Sequence, residues 1–566
     1  MKKQILFIFL CSISIYGQKE IDSVSTEVIH VITSYRPAIS DAFKENENPT
    51  ISIENKDKNK IQYKIKSDPI KSIFKPFSGG YKATKTKREE SKLPDYLKIG
   101  LGNFGTTLIE GFAYKQKDEH EGQVFLYHKA SNGGIKNIAL RDDYLNTKIA
   151  LNYKNSDEIQ IWEVGADYQK DIYNWYGIPF EYDENLIGSI NEKQTYNSFT
   201  LNGSIELKNE WIKKSDASIG WFSDRQGSME SRILFSPTFS IPLKKNEIET
   251  KVILDILHGE FENSYFNSES INYGYLSFGA EGSFPIEKEN LFISIGAKLV
   301  YNSDLEKNKG NLYIYPNIKA ELSIIDELLN IYTGLTGGLN QNSFRSISRI
   351  NPYVSPTLNI KPTSNTFNVF IGLKGKLTSR IDYDLNASYS QEKDMLLYRS
   401  NKNLTDGTQP ILKGYQAGNS FYTAYDNVSD IGLFGKLSAN FNESIKTGLT
   451  ASIHSYSMKN EKEPWNLPLF TASSFTTYSI HHWMVKAEIF LRGKRKDLEI
   501  ASDDTETQIE LDAYADFNVS AIYNFNKKWS AFIELNNILN TNYQVYSNFQ
   551  VQGFQILAGG IYRFDL

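Results

Sequence analysis

The sequence predicts an all-β protein: a transmembrane antiparallel β-barrel of about 22 strands behind a short, mostly irregular N-terminal segment. Three observations carry this reading. Apolar and polar residues alternate with period two over long runs from Tyr96 onward, short turns alternate with long loops, and the chain ends on a segment apolar at every second position.

The alternation is plain in Leu145–Tyr153, where Leu145, Thr147, Ile149, Leu151 and Tyr153 interleave with Asn146, Lys148, Ala150 and Asn152. It recurs in Leu291–Tyr301 and in Phe367–Leu377. Successive side chains of a strand point to opposite faces, so each run has one apolar and one polar side. The runs reach the 9–11 residues or so that a tilted strand needs to cross a bilayer. Strands are predicted near 96–104, 106–116, 121–130, 145–155, 158–171, 194–207, 217–225, 230–243, 246–260, 272–285 and 289–303. Others follow near 311–325, 329–342, 366–379, 381–394, 423–441, 445–459, 468–480, 484–496, 508–525, 529–541 and 553–566.

Connections after even-numbered strands are turn-like, as at 154–158, 243–247, 326–328, Ser379-Arg380, 441–444 and 526–528. Those after odd-numbered strands are mostly long, as at 172–193, 261–271, 343–365, 395–422 and 497–507. Short turns at one end and long loops at the other are the pattern of outer-membrane barrels. A propeller also has two-faced sheets, but its strands are short, and no blade motif recurs here.

Composition agrees. Tyr (35) and Phe (33) are abundant and Met is down to 5, which suits strands. No apolar run is long enough for a membrane helix. A net charge of −5 from 62 basic and 67 acidic side chains excludes a nucleic-acid binder by bulk electrostatics. One cysteine, Cys11, excludes a disulfide framework and a cysteine-rich zinc site.

The first 18 residues read as a secretory signal peptide: Lys2 and Lys3, an apolar stretch from Ile5 to Ile15, then Tyr16-Gly17-Gln18. Without them the chain has no cysteine. Residues 19–95 form an irregular N-terminal segment, periplasmic or lumenal, and 96–566 the outer-membrane barrel. Residues 51–98 hold 13 Lys/Arg against 6 Asp/Glu, so a basic segment precedes a long acidic one. It reads as a solvated linker or, more sharply, as a filler lodged against an acidic interior, with Lys85, Lys87 and Arg88 at its most basic point.

The C-terminal hundred residues resemble the TonB-dependent receptors. The resemblance rests on Gly493-Lys494-Arg495, on Leu511-Asp512-Ala513-Tyr514-Ala515-Asp516, on Asn537-Ile538-Leu539-Asn540-Thr541-Asn542-Tyr543, and on the closing strand Gly553 to Phe564. The closing alternation, with Tyr562, Phe564 and Leu566, resembles the signal read by the barrel-assembly machinery. Glu27-Val28-Ile29-His30-Val31-Ile32-Thr33 resembles a TonB box, an extended segment that pairs with an edge strand of TonB by β-augmentation.

The resemblance implies an outer-membrane receptor or transport barrel that takes up or passes a ligand, set in outer-membrane lipids and engaging TonB. It departs from the family in offering only 19–95 where those receptors carry a folded plug of well over a hundred residues. That departure supports an alternative: a plugless accessory subunit of an outer-membrane protein assembly, such as insertion or secretion machinery, partnered by other outer-membrane proteins or surface lipoproteins. A wide barrel needs something in its lumen, either the basic segment or loops such as 343–365 and 395–422.

No chemistry-bearing constellation is expected: no catalytic residues, no metal, no cofactor. The seven histidines are scattered, and His481-His482 falls in a predicted turn. His128-Lys129-Ala130-Ser131-Asn132-Gly133 approaches a His-x-Ser-Asn-Gly lipase element with one residue too many, so His128 and Ser131 fall on opposite strand faces. The tryptophans are expected in an interfacial girdle. Asn174-Trp175-Tyr176-Gly177 is the alternative candidate, as a ligand-contacting loop tip.

Overall fold

The computed structural model describes residues 95–565, apart from 180–181, 209–210, 244–245, 409–410 and 412. The two N-terminal candidates, residues 27–33 and Lys85, Lys87 and Arg88, lie outside the described residues, as does Leu566.

The wall is one 22-stranded antiparallel sheet. Each strand pairs with its neighbour in sequence, and the first strand, Asp95–Gly102, closes the ring on the last, Gln555–Phe564. That closing register runs from Asp95↔Phe564 to Gly102↔Leu557. Closure leaves no edge, which is what a sheet in lipid requires. Tyr562 and Phe564 sit in this closing ladder opposite Leu97 and Asp95.

The alternation read from the sequence becomes two faces. On the first strand Leu97 and Ile99 face outward, 37% and 49% exposed, while Lys98 between them is 4% exposed. Lys98 forms a 2.5 Å ion pair with Glu534 across the closing seam and lies 4.3 Å over the Phe532 ring. Similar lumen-side pairs stud the wall, as Arg232–Asp255 and Lys374–Glu321. Charges turned away from lipid and paired cost far less than charges left alone.

Turns at one end are short, 326–328, 379–380 and 441–444 among them. At the other end the connections 175–192, 341–362, 401–420, 493–513 and 537–554 are long. Several predicted boundaries shift, and the strand expected at 217–225 already begins at Ile212. The segment 508–525 splits, because Glu506–Leu511 pairs with Arg495–Ile500 as a separate hairpin and only Tyr514–Asn524 enters the wall. Gly493-Lys494-Arg495 accordingly begins that hairpin; the wall strand stops at Arg492. The strand expected at 529–541 ends at Asn536, and residues 395–400 extend a strand, Ile381–Ser400, where a loop was expected.

Long stretches of Ile381–Ser400 and its partner Phe421–Asn440, 20 residues each, must stand clear of the membrane. An apolar band of about 25 Å needs only about half that length of tilted strand. Aromatic rings crowd the turn end: Trp483 on Tyr523 at 4.8 Å, Trp529 on Tyr562 at 4.6 Å, and Trp211 on Phe239 at 5.3 Å. This is the interfacial girdle. Trp175 and Trp465 depart from it, both buried among the loops.

Candidate functional site: the sealed outer mouth

The loops, with the wall residues they meet, form the largest apolar core among the described residues. Trp175, Phe344, Tyr353, Val354, Leu358, Tyr415 and Phe549 are each at most 2% exposed, packed with wall residues such as Phe222, Leu257, Phe261 and Phe421. Trp175 is therefore a core residue, and the reading of it as a ligand-contacting tip is overturned. Its Nε1 donates to the Tyr353 carbonyl at 3.2 Å, and its ring meets Tyr415 edge-on at 5.3 Å. Asn419 Nδ2 donates to the Trp175 carbonyl at 2.7 Å, tying loop 401–420 to loop 175–192. Tyr353 stacks on Phe549 at 3.9 Å, joining loop 341–362 to loop 537–554.

Loop 341–362 is central. Wall tyrosines reach inward and donate to its backbone: Tyr196 to the Pro352 carbonyl at 2.9 Å, Tyr275 to Ile360 at 2.8 Å and Tyr398 to Ile347 at 3.1 Å. Tyr546 of loop 537–554 adds a fourth bond, to Ile350 at 3.2 Å. A buried loop must pair its carbonyls somewhere, and here tyrosine hydroxyls do it.

Within this loop the sequence forms a short helix, Phe344–Ile350, started by a capping box of Ser343 and Ser346. Phe344 is fully buried between Phe261 (4.9 Å) and Phe222 (5.1 Å). Glu230, on the wall strand Met229–Leu243, accepts from the Phe344 amide at 2.5 Å, the Arg345 amide at 3.3 Å and the Tyr273 hydroxyl at 2.8 Å. Arg345 donates to Thr200 at 2.6 Å and Arg349 to Gln169 at 3.2 Å. Beneath the helix lies a water-sized pocket bounded by Asp171, Tyr196, Ser198 and Arg349.

The hairpin of Arg495–Ile500 and Glu506–Leu511 clamps the lid from the side. Buried Asp497 accepts from the Ser400 hydroxyl at 2.7 Å and the Ser400 amide at 3.2 Å. Burial pushes its carboxyl up to about 6, outweighing those hydrogen bonds. Arg495 donates to the carbonyls of Val545 and Gln544, and Glu499 accepts from Ser547 at 2.8 Å and Asn548 at 2.7 Å.

The Asn537–Tyr543 element fastens loop 537–554. Asn537 and Asn540 take positive φ, 46° and 51°, which Asn tolerates. Asn537 Nδ2 donates to the carbonyls of Thr541 and Gln552. Tyr543 stacks on Tyr514 at 3.9 Å and donates to Asp516 at 2.9 Å.

Other candidates separate cleanly. His128 Nδ1 meets Thr147 Oγ1 at 2.8 Å, whereas Ser131 bonds the Phe104 carbonyl and Gln552, so the two do not act together. His481 and His482 occupy the turn between Phe470–Ile480 and Trp483–Arg492. Glu230, Phe344 and Arg345 carry the lid and were not singled out in the sequence. The signal available was weak: Ser343 is an N-cap residue type inside a long loop, but Ser346 stands where the capping-box pattern has Glu or Gln.

Three comparisons place this geometry. Solved structures with the same fold include the FrpB iron transporter of Neisseria meningitidis, at TM-score 0.62, 10% identity and coverage of 83% of this chain and 82% of that one. The ferripyoverdine receptor of the outer membrane of Pseudomonas aeruginosa gives 0.61 and 13%, covering 83% and 72%. The ferric-catecholate import receptor Fiu of E. coli gives 0.60 and 9%, covering 83% and 82%. At such identities they show the fold alone. Among curated proteins nothing matches. The family model described as TonB dependent receptor-like, beta-barrel matches residues 88–538, most of the chain. The closed 22-stranded wall and that match together establish the chain as an outer-membrane barrel that belongs to the TonB-dependent receptor-like β-barrel family.

Proposed function

We propose that the protein is a receptor-type passage of the outer membrane whose outer entrance is held shut by its own loops until ligand or partner binding displaces them. The observation that carries this reading is the lid core: four loops meet across the mouth through Trp175, Tyr353, Tyr415 and Phe549, none more than 2% exposed. A core packed in this way moves as a unit when a binding event displaces it, because packed interfaces do not deform by degrees. Residues 27–33 are the proposed contact with TonB, which would supply work to the barrel from the periplasm. Tyr562, Phe564 and Leu566 are the proposed signal for the assembly machinery.

The test is planar-bilayer conductance of the barrel prepared without residues 19–94, so that only the loops can close it, with and without residues 343–361. The barrel with its loop is expected to conduct little and the deletion to open steps on the nanosiemens scale; equal conductance of the two refutes a loop-sealed passage. Deleting residues 19–33 is expected to abolish uptake in cells while leaving the closed barrel intact.

A second reading is an accessory subunit of an outer-membrane assembly. It is favoured by the hairpin edge Glu506–Leu511, which leaves Glu506, Thr507, Gln508 and Glu510 exposed beside the lid. Gentle purification followed by mass spectrometry separates the two readings. Stoichiometric co-purification with other outer-membrane proteins or surface lipoproteins supports the subunit; recovery alone supports the passage.

A further inference from the structure

The lumen face of the wall is unevenly charged. Register defines that face: Lys98 stands opposite Glu110, Glu110 opposite Tyr127, Tyr127 opposite Lys148, and Lys148 opposite Gln169. Followed onward through the five strands from Gln160–Asn174 to Asn246–Phe261, the lumen positions hold nine carboxylates against three cations, net −6, once the rim pair Lys213–Glu247 is set aside. On the other seventeen strands they hold fourteen of each, leaving aside the bulged outer end of Ile381–Ser400. All of the excess negative charge thus sits on one arc.

The outer end of the arc is met by the lid helix, whose Arg345 and Arg349 reach Thr200 and Gln169. Nearer the turns, Glu163 and Asp167 take hydrogen bonds from the amides of Asn152 and Asn202. Amides satisfy oxygens without supplying positive charge. A carboxylate row focused in a low-dielectric channel attracts a cationic partner over several ångströms.

Residues 51–94 carry 12 Lys/Arg and 5 Asp/Glu, net +7. They join the wall at Asp95, which pairs with Phe564 at the turn end, the end away from the lid. The arc begins four strands away, about 20 Å around the wall at roughly 4.8 Å per strand. Forty-four residues reach about 150 Å when extended. Sign, position and reach all match.

We propose that residues 51–94 dock inside the barrel along the acidic arc of strands Gln160–Asn174 to Asn246–Phe261, entering from the turn end as an electrostatic filler. The docking does not depend on whether the barrel passes a ligand. Cysteine trapping tests it on the full-length chain in a Cys11→Ser background. Lys85→Cys is combined either with Ser218→Cys, on the arc, or with Ser473→Cys, eleven strands away on the balanced wall. Heat-modifiable gel mobility verifies a closed barrel for each variant.

Disulfide yield with Ser218→Cys is expected to exceed that with Ser473→Cys at least tenfold, and to collapse when Lys87→Glu and Arg88→Glu are added. Equal yields at both walls, or none at either, overturn the proposal. Maleimide labelling of Ser218→Cys alone gives an independent readout: it is expected to quicken severalfold with Lys85→Glu, Lys87→Glu and Arg88→Glu, and an unchanged rate counts against docking.

Discussion

The wall and the lid of this protein solve the same problem by different means. Both must bury a backbone away from water. The wall does so through an unbroken ladder in which every strand has two neighbours, so its satisfaction is periodic and independent of which apolar residue faces lipid. The lid has no ladder. It borrows tyrosine hydroxyls, one wall carboxylate and a seven-residue helix, and then fills the remaining space with rings. The difference predicts that the lid opens while the wall stays closed, because its free energy rests on a few discrete contacts.

The strongest way to break the comparison is Phe344→Ala. Emptying a fully buried ring costs about 3–5 kcal/mol. Amide exchange across 341–362 is expected to rise by two or more orders of magnitude while wall strands such as Gly448-bearing Ile445–Met458 keep their protection. Equal loss in both regions means that lid and wall unfold as one unit.

Glu230→Ala comes next. It leaves the Phe344 and Arg345 amides and the Tyr273 hydroxyl without their acceptor, at about 1–3 kcal/mol for the buried donors. Glu230→Gln keeps one acceptor oxygen and is expected to lose less. Protease cutting in loop 341–362 should rank Ala above Gln above wild type, and the reverse order would remove Glu230 from the lid.

Asp497 sharpens the comparison through pH. Its folded carboxyl titrates near 6, above the ordinary value of 3.8. Between those values the folded state holds the proton that the released hairpin gives up, so docking is firmest below about pH 4 and weakens as pH climbs through 6. Exchange of the Arg495–Ile500 amides, corrected for intrinsic rate, should increase about tenfold or more over that window, and Asp497→Asn should flatten it. The smallest effect is expected from Trp529→Ala, which trims the girdle against Tyr562 and should lower the melting temperature by only a few degrees.

The same difference decides what could be read from the sequence. Alternation such as Leu145 to Tyr153 registers each wall strand, and turn residues such as Ser379-Arg380 mark its ends, so the wall was legible almost strand for strand. The lid was legible only as long loops that fill the mouth. Phe344 is buried because Phe222 and Phe261, more than eighty residues earlier in the chain, point at it, and no local period carries that information. Trp175 misled for the same reason: a tryptophan in a loop reads as exposed until the loops are brought together. The hairpin 495–511 hid because its strands continue the alternation of the wall across Gly493 and Asp512.

The tyrosine ties have an evolutionary consequence. Tyr196, Tyr275 and Tyr398 all bond main-chain oxygens of loop 341–362, which every residue type possesses. The anchor points therefore survive substitution in the loop that they hold. A lid fastened by its backbone can change its side chains while the barrel beneath keeps a fixed set of hooks.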